Sequence, residues 1–102
     1  MSEKSQAKIN ILPVESGENL KVYALNGHQG QCLNGCCCNQ DSHLIVQQGV
    51  IRMQSEHESR WLQAREDHFF HAGESFTLTA MTDIRAQLVT PESACLHVSE
   101  QS

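Results

Sequence analysis

Apolar and polar residues alternate with a period of two in several short stretches: Leu20 to Ala24, His43 to Val46, Phe76 to Ala80, Ile84 to Leu88 and Leu96 to Val98. Successive side chains of a strand point to opposite faces, so this pattern predicts strands with one face buried. The spacing of three and four that a helix needs is nearly absent. Turn-forming residues separate the stretches, at Glu15 to Glu18, Asn26-Gly27, Asn34-Gly35, Gln48-Gly49, Ala72 to Glu74, Thr82-Asp83 and Pro91 to Ser93. Short strands at roughly 8–12-residue spacing predict an all-β sandwich or barrel.

The sharpest local expectation is a hairpin from Leu44 to Met53, where two β-prone runs flank Gly49, a residue free to take a positive φ. Residues 1–8 and 99–102 are polar and are expected to fray. With no repeat, linker or low-complexity segment beyond a run of cysteines, the expected organisation is one domain over 1–102 with its core at about 9–98.

Composition narrows the function classes. The chain has 102 residues, 39% of them hydrophobic and 19% charged, in the range of an ordinary globular domain. Seven Lys and Arg stand against twelve Asp and Glu, for a formal charge of -5, and the basic residues are scattered. That argues against a nucleic-acid partner. No segment approaches the roughly 20 apolar residues that span a bilayer, and the first ten residues lack a signal-peptide core. No membrane partner and a cytoplasmic location are therefore expected. In that compartment the five cysteines should stay reduced unless they bind metal or act in redox chemistry.

The stretch around Gly49, followed by Trp61 to Asp67 and then Phe70-His-Ala-Gly73, resembles the two-motif core of the cupin family over roughly residues 20–90. The resemblance implies a small antiparallel β-barrel or jelly roll, the double-stranded β-helix, and pairing through edge strands into a homodimer. In the family, two His and a Glu of the first motif and a His of the second hold a metal. Anchored on Gly49, the Glu position falls on Ser42 and the two His positions on Cys36 and Cys38. Anchored on Gly73, the opening Gly falls on Arg65, the Pro on His71, the His on Phe76 and the Asn on Ala80. None of the four ligand positions carries the family's residue, which puts the family's iron, manganese or nickel chemistry in doubt.

Candidate chemistry follows from strand geometry. Residues two apart on a strand share a face, so Cys36 and Cys38 stand together, with Cys37 opposed. In a barrel that pair faces the cavity, and the resemblance implies that Ser42, His68, Phe70 and Phe76 line it too. Thiolates suit zinc, copper(I) or iron, and Cys36 and Cys38 with His43 make an alternative metal set, with Cys32, Cys95 and His97 as further partners. A disulfide between Cys32 or Cys95 and the cysteine run makes a third reading, a redox switch. His28 and His57 are expected in solvent, His71 outward, Glu66 and Asp67 in a solvated rim turn, and Trp61 in the core rather than in a dimer interface. No nucleophile elbow, phosphate loop or H-E-x-x-H is present, and residues 29–43 carry no Lys or Arg to activate a thiolate. The expected function is therefore a barrel without a cofactor that binds a small molecule, or serves as a sensory or assembly module, with no assignable reaction.

Overall fold

A computed structural model describes residues 8–17 and 19–99. Its ten strands are β1 (Asn10–Ser16), β2 (Leu20–Gly27), β3 (Cys32–Cys38), β4 (Ser42–Gln48), β5 (Val50–Ser55), β6 (Ser59–Gln63), β7 (Asp67–Phe70), β8 (Ser75–Ala80), β9 (Ile84–Pro91) and β10 (Leu96–Val98). They form two antiparallel five-stranded sheets, ordered β1-β2-β9-β4-β7 and β10-β3-β8-β5-β6. The alternation read from the sequence is the inward and outward alternation of β4, β8, β9 and β10, whereas in β2 the expected apolar face of Leu20, Val22 and Ala24 points outward and Leu25 takes the inward position. Leu25, Ala86 and Val46 form one inward row across β2, β9 and β4, and Leu33, Leu78 and Met53 form another across β3, β8 and β5. All six are 4% exposed or less. The all-β barrel of the sequence reading is the fold observed.

The expected hairpin from Leu44 to Met53 does not form. β4 lies in one sheet, between β9 and β7, while β5 lies in the other, between β8 and β6. Gly49, at φ 86°, turns the chain from one sheet to the other instead of folding it back. A Cβ there would stand 2.2 Å from the Asp83 carbonyl oxygen, so the corner is closed against every other residue. Local pattern cannot separate the two outcomes, because a reversal and a corner both need the glycine and both keep Leu44, Val46, Ile51 and Met53 inside.

Two smaller expectations also change. Trp61 is 59% exposed on the edge strand β6, beside Arg52, and not in the core. Its neighbour Leu62 fills the inward position. Of the ends expected to fray, residues 1–7 and 100–102 lie outside the described residues. Lys8 is bridged to Cys32, and the Ser99 N–H donates to the Gly35 carbonyl at 3.2 Å, so both are held by β3. Glu18 of the first turn also lies outside the described residues. Among the described residues no helix is long and apolar enough to cross a membrane.

Candidate functional site

The facing of the cysteine run is set by a bulge. Along β3, Leu33 pairs with Leu78 and Cys36 with Phe76, so three steps on β3 match two on β8. Gly35, at φ 59°, supplies the extra residue. Without it, strict alternation from Leu33 would turn position 37 inward; with it, Cys36 and Cys38 are buried and Cys37 faces outward, half-buried beside His97 of β10.

Cys36 sits opposite Phe76, and Ser42 opposite Phe70 on β7. The two phenyl rings meet across the barrel with centroids 3.7 Å apart and planes 8° from parallel. Of the four positions that the resemblance matches to the family's ligands, Phe76 is one of the two rings, Cys36 pairs with it and Ser42 with the other. Cys36, Cys38, Ser42, Phe70 and Phe76 are all 2% exposed or less. The Ser42 hydroxyl oxygen is buried and has no hydrogen-bond partner among the described residues.

Burial pushes the Cys36 thiol up to about 12, with Cys38 and then Cys37 adding to the rise. Taking a thiolate out of water costs free energy that no nearby cation returns. The thiol therefore keeps its proton throughout the physiological range.

His68 points inward, with its side chain 9% exposed and its ring edge against Phe70 at 4.8 Å. Arg60 Nη1 lies 3.3 Å from Nδ1. A guanidinium can only donate, so Nδ1 accepts, and the ring proton sits on Nε2, which faces Glu58 Oε2 at 3.7 Å. His71 is exposed, as are His28, 3.6 Å from Asp83, and His57.

His43 does not join the thiols, so the alternative set of Cys36, Cys38 and His43 is not assembled. Being one residue from Ser42 on a strand, it projects from the opposite face. There its Nε2 meets Asp67 Oδ2 at 2.6 Å, and its ring stacks on Phe69 at 4.0 Å, 6° from parallel. Among the described residues no three His, Cys, Asp or Glu side chains are grouped to hold a metal ion. Asp67, expected in a solvated turn, instead opens β7 as the partner of His43. Glu66 stays in the turn and accepts from the Gln63 N–H at 2.8 Å. The His43 and Asp67 pair spans 24 positions and left no spacing signal to find.

Beside His43 a shallow depression of about 180 Å³ opens on the outer surface, lined by Leu20, Asp41, Ser42, Phe69, Val89 and Pro91 among others. All five cysteines are free; Cys32 rests near Thr79 Oγ1 at 3.7 Å, and Cys95 is exposed beside Asn39.

The fold's usual metal donors are imidazole and carboxylate. The positions that the sequence resemblance matches to them hold two thiols, a hydroxyl and a phenyl ring, and this donor set does not fit such a metal. The backbone keeps more of the pattern. Gly73 has φ 81°, and Arg65, which stands where the second motif opens on glycine, is the only non-glycine described with a positive φ, at 78°. Two hydrogen bonds hold that turn on β4, from Arg65 N–H to the Val46 carbonyl and from Val46 N–H to the Glu66 carbonyl.

No protein-family model and no curated protein matches the chain. Solved structures do match in shape. A double-stranded β-helix protein of uncharacterised function from Klebsiella pneumoniae superposes with a TM-score of 0.78 at 15% identity, covering 97% of this chain and 90% of that one. A cupin superfamily protein from Desulfitobacterium hafniense gives 0.75 at 9% identity, covering 88% and 83%. Salicylate 1,2-dioxygenase from Pseudoaminobacter salicylatoxidans gives 0.71 at 11% identity, with 81% of this chain matching 25% of the enzyme. At such identities the likeness concerns architecture alone, and on that ground the chain is a cupin-like double-stranded β-helix.

Proposed function

We propose that this barrel is a binding or sensory module that works through its outer surface, with its interior serving as a packed core rather than as a metal-centred reaction site. The contact between Phe70 and Phe76 carries this reading. Rings 3.7 Å apart pack in the interior, one of them at Phe76, a position that the sequence resemblance matches to a family ligand. The depression beside Leu20, His43 and Phe69 offers apolar surface outside the barrel, suited to an apolar or mildly polar partner. A cytoplasmic setting, where thiols stay reduced, belongs to the same reading.

The test is elemental analysis of the purified chain, with the thiols kept reduced. Zinc, copper, iron, manganese and nickel should each be far below one atom per chain. A stoichiometric metal that disappears in Cys36→Ser with Cys38→Ser would overturn the reading. It would favour instead a soft-metal site built on those two sulfurs and the unpartnered Ser42 hydroxyl.

A further inference from the structure

Of the ring contacts among the described residues, that of His43 with Phe69 lies on the outer face of its sheet, whereas the other two lie inside. One outward row runs Val22, Val89, His43, Phe69 across β2, β9, β4 and β7. Leu20 and Pro91 form the next row toward one end of these strands, where Asp41 precedes β4, and Ile45 and Asp67 lie on the other side of His43. The depression of about 180 Å³ opens among Leu20, Asp41, His43, Phe69, Val89 and Pro91, and so on the side of His43 away from Asp67. An apolar cavity of about 150 Å³ accepts one benzene molecule, so the depression matches a single ring in size.

We infer that this depression is a subsite for a small, flat aromatic cation, whose ring stacks on the imidazole of His43 beside Leu20 and Val89 and whose charge lies toward Asp41. The stacking follows from how His43 is held. Its ring lies 4.0 Å from that of Phe69 and 6° from parallel, on the β7 side, which leaves its second face toward β9, where Val89 stands opposite. The 2.6 Å contact of Nε2 with Asp67 Oδ2 stops the imidazole from rotating. A flat ring is the partner that such a fixed, flat wall favours. Leu20 is 50% exposed and Phe69 64%, so the apolar surface is open without any side chain moving aside. The charge follows from the neighbours. Asp41 lines the depression, Asp67 stands behind His43, and no Lys or Arg is among the lining residues. Asp41 Oδ1 accepts from the Ala72 N–H at 2.9 Å, and its Oδ2 accepts no hydrogen bond among the described residues. Lys21 turns away to the Ala94 carbonyl at 3.4 Å. Arg85 lies four positions from Val89 along β9, roughly 13 Å at about 3.3 Å per residue and past the screening length of about 10 Å. An anion would meet only repulsion here, and a cation without a ring would forgo the stack.

This inference rests on the outer-surface reading above, but it is tested separately. Benzamidine is the probe, with benzoate as the anion of the same shape and acetamidine as the cation without a ring. Titrated into the full, reduced chain and followed by NMR, benzamidine should saturate with a dissociation constant of about 1–10 mM, the range open to so small a ligand in a shallow site. Benzoate and acetamidine should each bind at least about tenfold more weakly. Ring-current shifts should centre on Leu20, His43, Phe69 and Val89. His43→Ser should weaken benzamidine about tenfold. Asp41→Asn, which keeps an oxygen for the Ala72 N–H, should narrow the gap between benzamidine and benzoate. Trp61→Ser, at an exposed ring on the other sheet, should change nothing. Circular dichroism checks that each variant keeps its strands, and the β-branched His43→Thr replaces His43→Ser if that variant does not. Equal binding of benzoate or acetamidine, shifts centred on Trp61, indifference to His43→Ser, an unchanged preference in Asp41→Asn, or no saturable shift by about 20 mM benzamidine overturns the inference. A metal-free chain that takes no benzamidine sinks this inference alone, whereas a chain that takes benzamidine and also holds stoichiometric metal sinks only the preceding reading.

Discussion

Phe70 and Phe76 join the two sheets: one ring comes from β7 of the first, the other from β8 of the second, and they lie 3.7 Å apart and nearly parallel. Each is fully buried. A barrel interior built for catalysis keeps its converging side chains polar and open to substrate, and this one closes the same place with apolar contact. Truncating either ring removes both transfer energy and packing from the other. Phe70→Ala and Phe76→Ala should each cost about 3–5 kcal/mol in urea unfolding. The double variant should cost less than the sum, because the second ring then has already lost its partner. Strict additivity would mean that the stack contributes nothing as a pair.

Ser42 should respond with the opposite sign. Its hydroxyl oxygen is buried without a partner, and an unsatisfied polar group costs roughly 1–3 kcal/mol. Ser42→Ala removes that cost while leaving the backbone position between Asp41 and His43 intact, so the variant should be more stable by about 1 kcal/mol in denaturant melts. Clear destabilisation would show that the hydroxyl serves a bound group.

The glycines separate backbone strain from lack of room. Gly49 and Gly73 have nearly the same φ, 86° and 81°. A Cβ on Gly49 would meet Asp83 O at 2.2 Å, whereas one on Gly73 would meet nothing within 4 Å. Gly73→Ala should therefore show only the left-handed cost of about 1–2 kcal/mol. Gly49→Ala adds a backbone clash at the corner between the sheets and should unfold at a much lower urea concentration or fail to fold. Equal effects would mean that the corner can widen freely.

Alkaline pH should destabilise the fold through Cys36. Its thiol ordinarily titrates at 9.0 and is pushed up to about 12 in the folded chain. Above 9.0 the unfolded chain sheds this proton while the folded chain keeps it, so the unfolded state binds fewer protons and stability falls as pH rises. The contribution is fully present below 9.0 and is lost between there and about 12, at up to about 1.4 kcal/mol per pH unit. Melting temperatures of the wild type and Cys36→Ser across this window should diverge, with the wild type falling more steeply. Parallel curves would remove the buried thiol as the cause. At neutral pH a thiol reagent should label exposed Cys95 promptly and reach Cys36 only on unfolding.

The alternation of apolar positions was enough to predict an all-β barrel, because a period of two leaves one buried face per strand wherever the strands end up. Strands β4, β8, β9 and β10 can be placed and faced from that signal; β2 can be placed, but its alternating Leu20, Val22 and Ala24 turn outward and Leu25 inward. Strand β1, with Leu12, Pro13 and Val14 all exposed, carries no such alternation and is invisible to it. The inward facing of Cys36 and Cys38 was readable as a pair two residues apart. Which face they share depends on the bulge at Gly35, and a bulge exists only when a partner strand is counted against it.

Sequence alone thus determined the class of fold and named Cys36, Cys38, Ser42, Phe70 and Phe76 as interior residues. Tertiary structure decided the rest. It turned the chain through a corner at Gly49, set Trp61 in solvent, sent His43 outward to Asp67, closed the interior with Phe70 against Phe76, and turned Leu20 and Val22 of β2 outward. The reason is physical: alternation is a property of one strand and survives any arrangement of its neighbours. Sheet membership, ring stacking and an ion pair across 24 positions depend on which strands lie side by side, and no local pattern encodes that.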